Sequence, residues 1–384
     1  MKDRPMLLRG DIHIEGEYII GKVIKNMSVE DKENCIQVLD NDHLDLYEDG
    51  YRAYLFEKRP TALCLDNVNY CSDVQEISTL VNYDVIEIIW DDCIKVLYRD
   101  DSDDNALVVT NQCNSNCIMC PDSDFVRNTK YMPSINKLIE HIRCIPSDAK
   151  HLTITGGEVG LLKDDLVTLL AECKRCLPDT EFLLLSNGRV FANTEFVDKI
   201  CMNVPKRIRF AIPIYAEREE LHDEITRVKG SFRQAVVGIK KLLARDIDIE
   251  IRIVVQKKNY QDLKKIAKFI VTELPRVQMV NIMALEMLGN AYKNKDEVWV
   301  NFLGVKNYLY EACLEIISAG IMVNLYNFPL CSLDKRLYGL AVKSITDYKV
   351  LFKEECSVCL ARDNCGGFFF STINMKDIKV EPIK

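Results

Sequence analysis

The sequence predicts an α/β chain: a partial (β/α)6 barrel with a small β-rich domain before it and a cysteine-bearing extension after it. Three observations carry this reading. From Ala106 onward, short apolar runs alternate with longer amphipathic stretches. That is the pattern of a parallel sheet joined by right-handed helical crossovers, as in a TIM-like barrel. Before that point the chain is acidic: residues 1–105 hold 24 Asp and Glu against 11 Lys and Arg, whereas the remainder holds 34 against 39. The 16 cysteines are also unevenly spread, with clusters at 113–120 and 356–365. The expected parts are residues 1–104, 105–300 and 301–384.

Taken in order, the acidic part predicts short strands at Tyr51–Phe56, Asp84–Trp90 and Cys93–Tyr98. Asp91-Asp92 supplies a tight turn between the last two. The run Asp100-Asp101-Ser102-Asp103-Asp104 marks the boundary. Barrel strands are expected at Ala106–Thr110, His151–Thr155, Glu181–Leu185, Ile208–Ile214, Ile249–Gln256 and Gln278–Leu285. Helices are expected at Ile135–Arg143, Asp164–Arg175, Ser231–Ala244 and Leu263–Thr272. A further helix at Leu303–Ala319 and a strand at Met322–Tyr326 follow. The chain becomes irregular from Asn327, with Cys331 ending an apolar strand.

Composition narrows the function. The 384 residues carry a net charge of −8, a poor match for a nucleic-acid backbone. No apolar run approaches the roughly 18 residues of a membrane span, and the start has no signal-peptide core, so a cytoplasmic protein is expected. In that compartment a disulfide framework is disfavoured, and clustered cysteines read as metal or redox ligands. Only five histidines are present and there is no HExxH, which disfavours a zinc hydrolase. Cys173 and Cys176 form a CxxC on a predicted helix without redox context and read as packing residues.

The first cluster, Cys113, Cys117 and Cys120, has CxxxCxxC spacing just after the first barrel strand. Three thiolates on one loop can hold three irons of a [4Fe–4S] cubane and leave the fourth open to a small molecule. A structural zinc site needs a fourth protein ligand, which would have to come from elsewhere. The second expected strand runs into Gly156-Gly157-Glu158. By itself that motif also suits a helix-capping turn.

The two motifs together resemble the radical S-adenosylmethionine (SAM) superfamily. The resemblance implies an open-site [4Fe–4S] cluster on Cys113, Cys117 and Cys120 that chelates SAM and yields a 5′-deoxyadenosyl radical on reduction. It implies that Met119 lies near the adenine, where relatives usually carry an aromatic. Gly156, Gly157 and Glu158 are implied at the methionine amino group, with Val159 in place of the usual proline. Ser186 and Asn187, at the end of the third strand, are implied near SAM; an Asn-Gly turn is the alternative. Arg252 is implied against the SAM carboxylate, with an internal salt bridge as its alternative. Glu286 opens the stretch implied to meet the adenine. No general acid or base is singled out.

The second cluster, Cys356, Cys359 and Cys365, has CxxC-x5-C spacing, and Cys331 precedes it. Four thiolates can close a second [4Fe–4S] cluster or a zinc site. The pattern resembles the twitch/SPASM extension of radical SAM peptide-modifying enzymes, which implies an auxiliary [4Fe–4S] cluster. Leu184-Leu185-Ser186-Asn187-Gly188-Arg189, Ile212-Pro213-Ile214-Tyr215, Leu221-His222-Asp223, Tyr326-Asn327 and Cys365-Gly366-Gly367-Phe368-Phe369 together resemble the His-Xaa-Ser system maturases of the HxsC type. That resemblance implies a precursor peptide substrate with His-Xaa-Ser repeats, an external one-electron reductant and a partner maturase. A radical SAM enzyme acting on RNA or a small metabolite, and a zinc-stabilised binding protein without catalysis, are the rival readings.

Overall fold

In the acidic part, runs of Val, Ile and Tyr make strands β1 (Leu7–Leu8), β2 (Asp11–His13), β3 (Tyr18–Lys25), β4 (Cys35–Leu39), β5 (Ala53–Phe56), β6 (Tyr70–Ser72), β7 (Val85–Ile89) and β8 (Ile94–Tyr98). They form one mixed sheet in the order β1-β8-β7-β3-β4-β5-β6-β2. The expected hairpin is β7–β8. Asp91 adopts a positive φ of 54° at its turn, and the Ile89 N–H donates to the Cys93 carbonyl at 2.9 Å. By contrast, β3 to β6 run parallel through connections that contain only short 3-10 turns. Both faces are covered. Val23, Ile36, Val38 and Leu55 pack on one side, and Ile24, Leu39, Tyr54 and Phe56 on the other. The computed structural model describes residues 5–122, 128–345, 349–375 and 378–384.

The second sheet is parallel throughout. Its strands are β9 (Ala106–Val108), β10 (His151–Thr155), β11 (Glu181–Leu185), β12 (Ile208–Pro213), β13 (Asp248–Val255), β14 (Met279–Ala284), β15 (Met322–Tyr326) and β16 (Ala341–Val342). Each pairs with its sequence neighbour, so the strand order is the chain order. All six expected barrel strands are present, with ends moved by at most two residues. The sheet then continues through β15 and β16, so it is larger than six units. Among the described residues β9 and β16 do not pair, and the barrel stays open.

Helices α1 (Ile135–Cys144), α2 (Asp164–Cys176), α3 (Thr194–Asn203), α4 (Glu219–Thr226), α5 (Ser231–Leu243), α6 (Leu263–Glu273), α7 (Gly289–Lys293), α8 (Lys295–Val298) and α9 (Lys306–Ser318) accompany these strands. In α2 the buried side chains Leu166, Leu169, Leu170 and Cys173 follow helical spacing, so Cys173 is simply the next core position. Burial pushes its thiol up, while Cys176 is half-exposed. The expected helix Leu303–Ala319 divides into a 3-10 turn at Phe302–Val305 and α9. The N-terminal sheet is fastened to α1 by ion pairs Arg52–Glu140 and Lys137–Glu87, and the Lys137 ammonium lies 4.3 Å from the Tyr18 ring centroid.

Cys331 does not end a strand, which corrects the reading of Asn327–Cys331. Asn327 takes a positive φ of 64° and Leu330–Ser332 forms a 3-10 turn. Pro329 lacks the N–H that a strand ladder would need. Beyond it, β17 (Val350–Leu351) and β18 (Phe368–Phe369) make a small antiparallel pair.

Candidate active site

The cysteine loop leaves β9 and is held from three sides. Glycines make the first contact. A side chain on Gly156 would strike the Thr110 backbone, and one on Gly157 would strike the Gln112 carbonyl. The Gly157 and Glu158 N–H groups donate to those residues' carbonyls, at 2.8 Å to Thr110 and 2.9 Å to Gln112. The end of α4 makes the second contact: the Asn116 and Ile118 N–H groups donate to the Thr226 and Ile225 carbonyls. The third is α7. Asn290 Nδ2 donates to the Cys117 carbonyl at 3.0 Å, Asn294 Nδ2 to the Ile118 carbonyl at 2.8 Å, and the Asn290 N–H to the Cys120 carbonyl at 2.9 Å.

These contacts place Cys113, Cys117 and Cys120 along one wall of a cavity of about 310 Å³ at the C-terminal ends of the strands. That volume suits a small-molecule cofactor. Met119, Gly156, Gly157, Ser186, Asn187 and Arg252 line the same cavity. Met119 is buried beside Tyr215, Leu285 and Met287. Arg252 faces the cavity and is also an internal ion-pair partner, since its Nε donates to Glu250 Oε1 at 2.7 Å.

Glu158 and Glu286 are placed differently. The Glu158 carboxylate is buried beneath the cavity wall. Its Oε1 accepts from the Gly160 N–H at 2.8 Å and from Ser186 Oγ at 2.7 Å, and its Oε2 accepts from the Asn187 N–H at 2.6 Å. Burial pushes this carboxyl up, against the opposing pull of the Asn187 amide, the Ser186 hydroxyl and the Gly160 amide. The carboxylate therefore shapes the Ser186–Asn187 turn, and that turn lines the cavity. Glu286 is half-buried outside the cavity wall, with its carboxyl raised by burial and drawn back by Lys349.

Several cavity residues had no reading of their own in the sequence. Tyr215 is buried, and its phenol is pushed far above its usual range by burial and by the thiols of Cys117, Cys120 and Cys113. It stacks on His222 with ring centroids 5.4 Å apart. His222 Nδ1 accepts the Tyr215 N–H at 3.2 Å, which leaves the imidazole proton on Nε2. Arg189 Nη1 donates to the Asn114 carbonyl at 2.8 Å. The signal was present in Tyr215, Leu221-His222-Asp223 and Arg189, but spacing alone gave them no task.

The second group also comes together. Cys331, Cys356, Cys359 and Cys365 line one pocket with Pro329, Phe352 and Ile383. The Leu330 and Gly367 N–H groups point to Cys365 Sγ at 3.3 and 3.4 Å, and the Ile383 N–H to Cys359 Sγ at 3.3 Å. Burial raises the Cys331 thiol, and the nearby Cys365, Cys356 and Cys359 sulfurs raise it further. Among the described residues no group of three His, Cys, Asp or Glu forms a ready-made site for a metal ion. No helix among them is long and apolar enough to cross a membrane.

Residues 107–270 match the model of the Radical SAM superfamily. The match begins on β9, ends in α6 and takes in both the cysteine loop and Gly156-Gly157. Over these residues the chain is similar to a radical SAM domain, and that superfamily implies a [4Fe–4S] cluster and SAM. Three loops presenting thiols, glycines and polar groups to one cavity fit that pair of cofactors.

Among solved structures, Streptococcus suis SuiB bound to S-adenosylmethionine is similar over 66% of this chain and 54% of its own, at 13% identity and a TM-score of 0.47. SuiB bound to precursor peptide SuiA is similar over 57% and 48%, at 12% identity and a TM-score of 0.45. Native anSMEcpe with bound AdoMet and Cp18Cys peptide is similar over 57% and 62%, at 14% identity and a TM-score of 0.45. The chain thus spans about half the length of the SuiB chains it resembles. No curated protein matches it.

Proposed function

We propose that this protein is a radical SAM enzyme that matures a ribosomally made peptide, removing hydrogen from an unactivated carbon and so cross-linking or otherwise oxidising it. The observation that carries the peptide reading is the gathering of Cys331 with the Cys356, Cys359 and Cys365 cluster around one pocket after the last barrel strands. Amide groups directed at two of these sulfurs suit thiolates ligating an auxiliary [4Fe–4S] cluster. Cys113, Cys117 and Cys120 would hold the first cluster. When bound, that cluster and SAM supply a 5′-deoxyadenosyl radical. Gly156 and Gly157 let the thiol loop close on the strand ends. Ser186, Asn187 and Arg252 offer polar contacts to SAM, and Met119 and Tyr215 keep that wall apolar. The reading requires a precursor peptide, with His-Xaa-Ser repeats as its expected form, and an external one-electron reductant.

Co-expression with a neighbouring-gene peptide, followed by mass spectrometry, tests it. A loss of about two mass units is expected, because two hydrogens leave. An unmodified peptide alongside SAM cleavage by the same preparation would overturn the peptide reading. Cys117→Ala should abolish 5′-deoxyadenosine formation. Cys359→Ala should lower the iron content while the first cluster remains, and unchanged iron would argue for zinc at the second site.

A further inference from the structure

The opposite end of the barrel holds a second chamber. In a packed TIM-like barrel the inward side chains are branched and apolar and fill the interior. Here the positions of β12 to β15 that alternate with the buried Ile249, Ile251 and Ile253 row include the polar Arg209, Glu250, Arg252, Asn324 and Tyr326. Arg209, Glu250, Asn324 and Tyr326, with His151 and Met279, line a chamber of about 430 Å³ at the N-terminal ends of the strands. Arg252 lines both this chamber and the cavity beside the three thiols, so it is their shared wall.

The charges of the chamber do not all cancel internally. Glu250 is engaged by Arg252, and Arg207 pairs with Glu181. Arg209 has neither partner: it makes no ion pair among the described residues, and its Nε is buried without a hydrogen bond. Asp248 is its register neighbour on β13 but does not bond to it. A buried guanidinium N–H left unpaired is costly, and such groups ordinarily find an acceptor. The other wall adds a neutral donor. The Tyr326 hydroxyl keeps its proton, since burial and the Glu250 carboxylate both push it up. The Asn324 amide is fixed there by its 3.1 Å bond to Asn281 Oδ1.

We propose that this chamber is a second ligand site, taking a small molecule that carries an oxyanion, a carboxylate or a phosphate, on the Arg209 guanidinium. Guanidinium groups bind both classes by charge-assisted hydrogen bonds. The site lies outside the thiol-lined cavity and needs no step of the SAM chemistry.

Calorimetric titration of the full-length, cluster-loaded protein with inorganic phosphate, and separately with succinate, tests this and distinguishes the two sources. One saturable equivalent is expected for one of the probes. Arg209→Gln should weaken it by about tenfold or more, and Arg209→Lys, which keeps the charge but loses the planar fork, should weaken it less than Arg209→Gln does. SAM affinity read in the same samples reports an intact fold. Should Arg209→Gln lose SAM binding as well, Tyr326→Phe takes its place, with a weakening of about threefold expected. Failure of wild-type protein to bind either probe, or equal binding by a correctly folded Arg209→Gln, would overturn the proposal.

Discussion

Glu158→Gln changes one atom in the buried support of the Ser186–Asn187 turn, and its effect can be worked out from the hydrogen bonds. The wild-type carboxylate accepts three hydrogens: from Gly160 and Ser186 on one oxygen, from Asn187 on the other. An amide has only one acceptor oxygen. Whichever way it turns, its NH2 faces a backbone N–H, that of Asn187 or that of Gly160. One charge-assisted bond is lost and a buried donor is orphaned, a cost of about 3 kcal/mol. At 1.36 kcal/mol per decade that is roughly a 100-fold change in a local equilibrium. Hydrogen exchange followed by mass spectrometry should show the Asn187 or Gly160 amide exchanging about 100-fold faster, with strand β10 unaffected. SAM affinity should fall with it, because Ser186 and Asn187 line the cavity. Exchange within about threefold of wild type would refute the view that the carboxylate serves the turn.

Three further outcomes follow from other parts of the molecule. Gly156→Ala forces a methyl group against the Thr110 backbone, so reconstituted iron at the first site should fall sharply while the fold, read by far-ultraviolet circular dichroism, persists. Asn290→Ala removes the side-chain donor to the Cys117 carbonyl at 3.0 Å and to Asn116 Oδ1 at 2.8 Å. About 1–2 kcal/mol of loop stability should be lost, measurable as faster chelator-driven iron release. His141 is buried and held neutral, its pKa driven down to about 4 by burial. Below the unfolded value of about 6.5 the unfolded chain takes up a proton that the folded chain refuses, so stability falls as pH drops from about 6.5 toward about 4, by up to about 3 kcal/mol. Urea midpoints measured across that window should show a shallower decline in His141→Leu.

Much of the barrel was legible because its signals are local. The strand ends at Thr155 and Leu185, the α2 apolar face and the CxxxCxxC loop are all properties of contiguous residues. What escaped depends on partners distant in sequence. Nothing near Glu158 announces that its oxygens also hold Ser186 and Asn187. Nothing near Asn290 and Asn294 reveals that they grip a loop about 170 residues earlier. Strand β16 has two residues, too few for any period to register. The apolar run before Cys331 imitated a strand, but Pro329 and the left-handed Asn327 turn the chain into a 3-10 bend. The parallel course of β3 to β6 was equally hidden, since helices usually announce such crossovers.

The grip of α7 and the end of α4 on the thiol loop has a practical consequence for the life of the enzyme. The carbonyls of Cys117, Ile118 and Cys120 are satisfied by Asn290 and Asn294, and these three bonds involve no inorganic partner. On the proposed assignment of the cluster to Cys113, Cys117 and Cys120, its loss to air would leave those bonds in place, and rebuilding would ask for iron and sulfide but no new polypeptide.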